Sequence, residues 1–234
     1  MKSVTRWMAA LSLPLALAAC GGVATPQASD QPTTERIVGQ VSGWTGEGAL
    51  SVAELPAATA TIGTDGRFTL TLPPESALAG LTIGAADLGA LARLGCDGRL
   101  DSSAAQARGF VTATLNTVAF PSGKRTQVRA ATGSKPNALS RRVTVRVWLY
   151  SDRPTQLRGT LDCAKALGVQ QIDRVPVVVA LNTKTGWNVA DLVINARSNV
   201  IGQLSADGSL TNATDVNAPT TWRTTQEVQS QIGF

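Results

Sequence analysis

Runs in which apolar and polar residues alternate are the feature that most limits the fold of this chain of 234 residues. In residues 68–72, Phe and Leu alternate with Thr, and residues 111–115 follow the same pattern with Val, Ala and Leu. In residues 143–150, three valines and Leu149 occupy alternate positions. A two-residue period is typical of strands that bury one face. We therefore predict three strands, each with one face in a core and the other face outside it.

Residues 177–181 read Val-Val-Val-Ala-Leu and contain no polar position. Such a run predicts a central strand covered on both faces, and Pro176 is expected to begin it because proline cannot donate to a ladder. Turn-forming pairs separate the runs at Asp65-Gly66, Asp97-Gly98 and Asp207-Gly208. This punctuation indicates a sandwich or barrel and not alternating βαβ units.

Residues 85–94 are the one candidate helix, because leucines recur there at every third position. Gly89 lowers the helix propensity of the segment, so both outcomes stay open. The predicted fold class is mainly β, an antiparallel β-sandwich or sandwiches with at most one short helix.

The first residues have the order of a bacterial export signal. Lys2 and Arg6 precede a short apolar run that Pro14 interrupts, and this run is too short to span a bilayer. Leu17-Ala18-Ala19-Cys20 resembles the lipobox of bacterial lipoproteins. The resemblance implies cleavage after residue 19 and a lipid on Cys20, which would anchor the chain in a membrane.

Residues 20–35 are rich in Gly, Pro, Ser and Thr, a composition typical of a disordered tether. The expected location is the bacterial cell envelope, facing away from the cytoplasm, with the inner and the outer membrane both open. An ordinary secretory signal with a chance cysteine is the alternative.

Residues 37–73 contain Gly39-x-Val41, a second strand pattern and Asp65-Gly66-x-Phe68. This order resembles transthyretin-like and carboxypeptidase-regulatory-like β-sandwich modules. The resemblance implies a binding or spacer role and supplies no catalytic residues. We predict a small sandwich-like module at 36–92 and a larger β domain at 93–234, with one continuous sandwich as the alternative.

The cysteine and histidine content restricts the chemistry. Cys96 and Cys163 are the cysteines that remain beside Cys20, and an even pair in an oxidising compartment predicts a disulfide; two buried free thiols are the alternative. The chain has no histidine, which excludes Ser-His-Asp and Cys-His catalysis and HExxH zinc proteases. No cofactor or metal is expected, and no enzyme activity is predicted.

Charge is concentrated in the middle of the chain. Residues 93–158 hold twelve Lys and Arg against three Asp, a net charge of +9, whereas residues 20–92 carry −5. A basic surface raises encounter rates with anions. The candidate anion-binding residues are Arg125, Arg129, Arg141, Arg142 and Arg146.

The expected partner of these arginines is an anionic envelope component, anionic phospholipid or an acidic protein. Nucleic acid is not expected outside the cytoplasm. Two other interpretations stay open: a solvated strand face, and docking on the acidic segment before residue 93.

The leading functional hypothesis is a non-catalytic binding or scaffolding module of the envelope. A hydrolase that uses carboxylates or a Ser-Lys pair is the alternative. Four tryptophans fit either a core or a sugar-stacking platform, namely Trp44, Trp148, Trp187 and Trp222.

Overall fold

The computed structural model of the protein describes residues 30–89, 96–167, 173–199 and 201–232. The first eight strands are β1 (Arg36–Val41), β2 (Gly48–Val52), β3 (Leu55–Ile62), β4 (Arg67–Thr71), β5 (Ile83–Gly84), β6 (Asp101–Ser102), β7 (Arg108–Thr112) and β8 (Thr114–Ala119). The others are β9 (Arg125–Asn137), β10 (Ser140–Ser151), β11 (Thr155–Asp162), β12 (Pro176–Thr183), β13 (Gly186–Ser198), β14 (Leu204–Asn212) and β15 (Thr220–Arg223). The mainly β class is confirmed.

The strands form two sheets that share one long ribbon. Sheet A has the order β3-β2-β8-β9-β15-β1-β4, and sheet B has the order β5-β7-β10-β13-β14-β12-β11-β6. Strand β9 pairs with β8 and β15 through its first half and with β10 through its second half, from Ala131 onwards. The β9–β10 ribbon therefore joins the two sheets. Most pairs are antiparallel; β1 with β15 and β12 with β14 are parallel.

Two hydrophobic cores lie on opposite faces of sheet B. The inner core collects side chains from β7 and β10 to β14, among them Val147, Leu149 and Leu192. The second core lies between sheet A and the other face of β10 and β13. Strand β10 contributes Trp148 and Tyr150 to it. Strand β10 is therefore buried on both faces near its end. This corrects the expectation for residues 143–150, because large aromatic side chains supply apolar surface on the face predicted to lie outside a core.

Strand β12 departs from its prediction in the opposite direction. It begins at Pro176 as expected, but its side chains alternate between buried and exposed, and Val178 is 57% exposed. Only one face of this strand is covered, so the prediction of a strand buried on both faces is wrong. An all-apolar run shows only that both faces of a strand could be buried. Whether both faces are buried depends on the sheets and helices that pack against the strand.

Two further local predictions differ from the structure. Residues 111–115 do not form one strand with one buried face. Val111 lies in the inner core and Leu115 lies in the second core. The reason is that the chain passes from β7 in sheet B to β8 in sheet A within this segment. Asp207-Gly208 is not a turn but lies within β14. A Cβ on Gly208 would come within 2.5 Å of the Val193 carbonyl oxygen, so glycine permits close strand packing there.

The helices are short. Of the candidate helix at 85–94, Ala85–Gly89 is a 3₁₀ helix and residues 90–94 lie outside the described residues. Within the described residues, the α-helices are α1 (Ala164–Leu167) and α2 (Thr225–Ile232). No described helix is long and apolar enough to cross a membrane.

No helix is predicted at the C-terminus, yet α2 begins with a recognisable capping box. The Glu227 amide donates to Thr224 Oγ1, and Glu227 Oε2 accepts from the Thr224 amide at 2.7 Å. Helix α2 packs on β9, where the Gly133 amide donates to Gln231 Oε1 at 2.7 Å. A Cβ on Gly133 would lie 2.7 Å from Ile232, so glycine allows the helix to approach the strand closely.

Cys96 and Cys163 form a disulfide across 67 residues of sequence. Closing a loop of this span removes about 4 kcal/mol of unfolded-chain entropy in the loop-closure model. The bridge predicts that the protein, isolated without reductant, has an intact mass two hydrogens below that of its reduced form. Alkylation before and after reduction measures this, and free thiols at both positions before reduction would contradict it.

The division into residues 36–92 and 93–234 stays a prediction. Strand pairing crosses its boundary, since β1 pairs with β15 and β2 pairs with β8. The second core also combines Leu70 with Trp222.

Candidate anion-binding site

The five candidate arginines lie on more than one face of the β9–β10 ribbon. Arg125 and Arg129 are four residues apart in β9 and share a face of sheet A, away from the core side chain of Val128. Arg142 and Arg146 lie on the opposite face of the ribbon, beside Thr132 and Thr144 in the strand register. The structure therefore distributes these arginines over both faces of the ribbon and does not gather them in one patch.

Two of the five connect β10 to β13, and a third contacts the β9–β10 loop. Arg146 forms a two-contact ion pair with Asp191, with Nε 3.0 Å from Oδ1 and NH2 3.3 Å from Oδ2. Arg142 Nε donates to Asn195 Oδ1 at 3.0 Å. Arg141 donates to backbone carbonyls of the β9–β10 loop, including that of Ala138 at 2.9 Å. A paired guanidinium such as that of Arg146 has less to offer an external anion.

Arg129 belongs to a different environment, a groove between α2 and the sheets. Its cross-strand neighbour is Arg223 of β15, and both side chains line the groove. The space is about 110 Å³. The apolar part of its lining consists of Ala131, Val143, Val145, Leu192, Ile194, Val228 and Ile232.

The two guanidiniums are held by neutral partners. Arg129 Nε donates to Thr114 Oγ1 at 3.2 Å, and Arg223 NH1 donates to the Ala131 carbonyl at 2.8 Å. Among the described residues, neither forms an ion pair with a carboxylate. Like charges directly opposite each other on neighbouring strands repel. An anion placed between Arg129 and Arg223 would relieve that repulsion.

Arg223 is absent from the candidates derived from the sequence. It lies outside the basic segment, and 94 positions separate it from Arg129 in the numbering. The alternation of Thr221, Trp222 and Arg223 was the available signal, because it places Trp222 inward and Arg223 outward. That pattern does not show that β15 pairs with β9, so it does not place Arg223 beside Arg129.

The carboxylates of Asp97 and Asp162 make structural contacts. The backbones of these two residues pair in an isolated bridge, and Lys165 Nζ lies 2.7 Å from Asp97 Oδ2. Backbone amides of Val175 and Ala164 donate to Asp162, and with nearby Arg174 they lower the pKa of its carboxyl. A general acid needs a raised pKa, so Asp162 is suited to a structural role. Across the described ranges, no group of three or more Cys, Asp or Glu is placed to hold a metal ion.

Three of the four tryptophans lie in the second core and not on a sugar-binding surface. Trp222 and Trp148 stack with ring centroids 5.3 Å apart, and Trp187 contacts Tyr150 edge-on at 5.7 Å. Burial, together with a hydrogen bond to Glu75, raises the pKa of Tyr150 to about 12. The phenol therefore stays protonated over the physiological range.

Cys20 lies outside the described residues, so its lipidation stays a prediction. Comparison of the chain with models of known families, with curated proteins and with solved structures found no match.

Proposed function

We propose that this protein is a lipid-anchored binding protein of the bacterial envelope that holds an anionic amphiphile without catalysing a reaction. The ligand has a carboxylate or phosphate headgroup and an apolar chain. The observation that carries the proposal is the pair Arg129 and Arg223 beside an apolar groove. The lipobox-like start supports the location, since it would keep the domain next to a source of such molecules.

The groove offers the two kinds of contact that such a ligand needs. Two guanidiniums can donate charge-assisted hydrogen bonds to one headgroup, and these are stronger than neutral hydrogen bonds. The apolar lining can take the first part of the chain, at about 0.8 kcal/mol for each methylene removed from water. Helix α2 is short and covers the groove through Val228 and Ile232, so a small displacement of this helix would admit a longer chain.

The test is a calorimetric titration of a chain that begins at Asp30, which contains every described strand and helix. Decanoate and decyl phosphate are the probes, and decanol is the uncharged comparison. We expect both anions to bind and decanol to bind more weakly. In the Arg223→Gln variant, the loss of a charged hydrogen bond, about 1.5–3 kcal/mol, should weaken anion binding roughly tenfold or more.

Arg67→Gln is the matched control, because Arg67 is an exposed arginine of sheet A whose ion pair is with Asp65. It should bind the anions as the parent does. Thermal unfolding of each variant shows whether it is folded, and Arg129→Gln repeats the test from the neighbouring strand. Equal affinity of the parent and both groove variants, or equal binding of decanol and decanoate, would contradict the proposal.

A further inference from the structure

Two large apolar side chains are exposed at neighbouring loop tips. Leu139, in the β9–β10 loop, is 47% exposed, and Ile201, in the β13–β14 loop, is 75% exposed. The Ser198 amide donates to the Leu139 carbonyl at 2.8 Å, and Ser140 pairs with Arg197 in the strand register. The two tips therefore lie side by side at one end of sheet B. We call them the paired tips.

Each tip has the same local construction. Asn137 Oδ1 accepts from the Leu139 amide at 2.9 Å, and Asn199 Oδ1 accepts from the Ile201 amide at 3.1 Å. An asparagine thus closes a turn two residues before each exposed apolar residue. Asn199 Oδ1 also accepts from the Gln203 amide at 2.9 Å. These bonds hold both loops in shapes that leave Leu139 and Ile201 facing solvent.

The strands that lead into the paired tips are basic. Residues 132–144 and 194–208 contain four cations and one acidic residue, Asp207, which forms an ion pair with Arg197 at 2.7 Å. Arg142 and Lys135 are exposed. The four cations are Lys135, Arg141, Arg142 and Arg197.

We propose that the paired tips are a membrane-contact site that inserts Leu139 and Ile201 into the interface of an anionic bilayer. Exposed apolar side chains next to these four cations match such a surface, because the headgroups carry negative charge and the region below them is apolar. The two loops lie side by side at the same end of sheet B, so both side chains can enter the bilayer interface together. This site is separate from the groove and rests on neither the groove ligand nor the lipid on Cys20.

The experiment is vesicle co-sedimentation of the chain that begins at Asp30. Vesicles of equal parts phosphatidylcholine and phosphatidylglycerol are compared with vesicles of phosphatidylcholine alone. We expect partition onto the anionic vesicles that falls as salt is added. The double variant Leu139→Ser, Ile201→Ser should partition at least roughly tenfold less, because it loses the apolar contact.

Val178→Ser is the matched control, since Val178 is an exposed apolar residue of β12 that is not part of the paired tips. It should partition as the parent does. Thermal unfolding establishes that the double variant is folded. Equal partition of the parent onto both vesicle types, or of the double variant and the parent onto anionic vesicles, would overturn the proposal.

Discussion

Replacing Trp222 by alanine is expected to lower the free energy of unfolding by about 3–5 kcal/mol. Trp222 is fully buried, stacks on Trp148 and contacts Phe68 edge-on with ring centroids 5.8 Å apart. Its Nε1 donates to Thr220 Oγ1 at 2.7 Å. The substitution would leave a cavity at the junction of β1, β9 and β15, where Gly39 already provides the space for the indole.

Urea denaturation of the chain that begins at Asp30 measures this effect. Trp44→Ala is the matched control, because Trp44 is only half-buried and its Nε1 donates to the nearby Gly46 carbonyl. The control should lose clearly less stability than Trp222→Ala. If the two variants lose the same amount, the interior stack is not a principal support of the fold.

Cys20→Ser is expected to abolish lipid labelling of the protein and its retention in membranes. Serine has no thiol, so the thioether that the lipobox implies cannot form. Metabolic labelling with palmitate, followed by fractionation in high salt, measures both effects. High salt suppresses contacts between the paired tips and anionic lipid, so it isolates the contribution of the anchor.

Cys163→Ser is the control for that experiment, since Cys163 lies in the disulfide with Cys96. The control should keep its palmitate label. Labelling of Cys20→Ser at the level of the parent would refute the lipid anchor.

Local patterns locate β4, β10 and β12 in the sequence, but they do not give the surroundings of these strands. Residues 68–72 alternate as expected, with Phe68 and Leu70 buried in the second core and Thr69 exposed. For β10 and β12, the pattern gave the strand and the wrong number of covered faces. Alternation reports the polarity of side chains, whereas coverage depends on which sheets pack together. That second property arises from contacts distant in sequence.

The candidate site could also be predicted only in part. The basic segment includes Arg129, but the neighbour of Arg129 in space, Arg223, lies in β15, far away in the sequence. The net charge of a segment does not show that Arg146 is paired with Asp191. Composition shows only where positive charge is abundant. The pairing of β9 with β15 places Arg129 beside Arg223, and the pairing of β10 with β13 shows that Arg146 is already bound to Asp191.

The parallel pairing of β1 with β15 has a consequence for how the chain reaches its native state. Thr220 Oγ1 donates to the Val38 carbonyl across 182 residues of sequence, and β15 is inserted between β1 and β9. A chain that emerges from a ribosome or an export channel N-terminus first must wait for almost its whole length before sheet A can close. Contacts of such long range slow folding, because the entropy of loop closure is lost before they form. Sheet A therefore closes only after β15 has emerged.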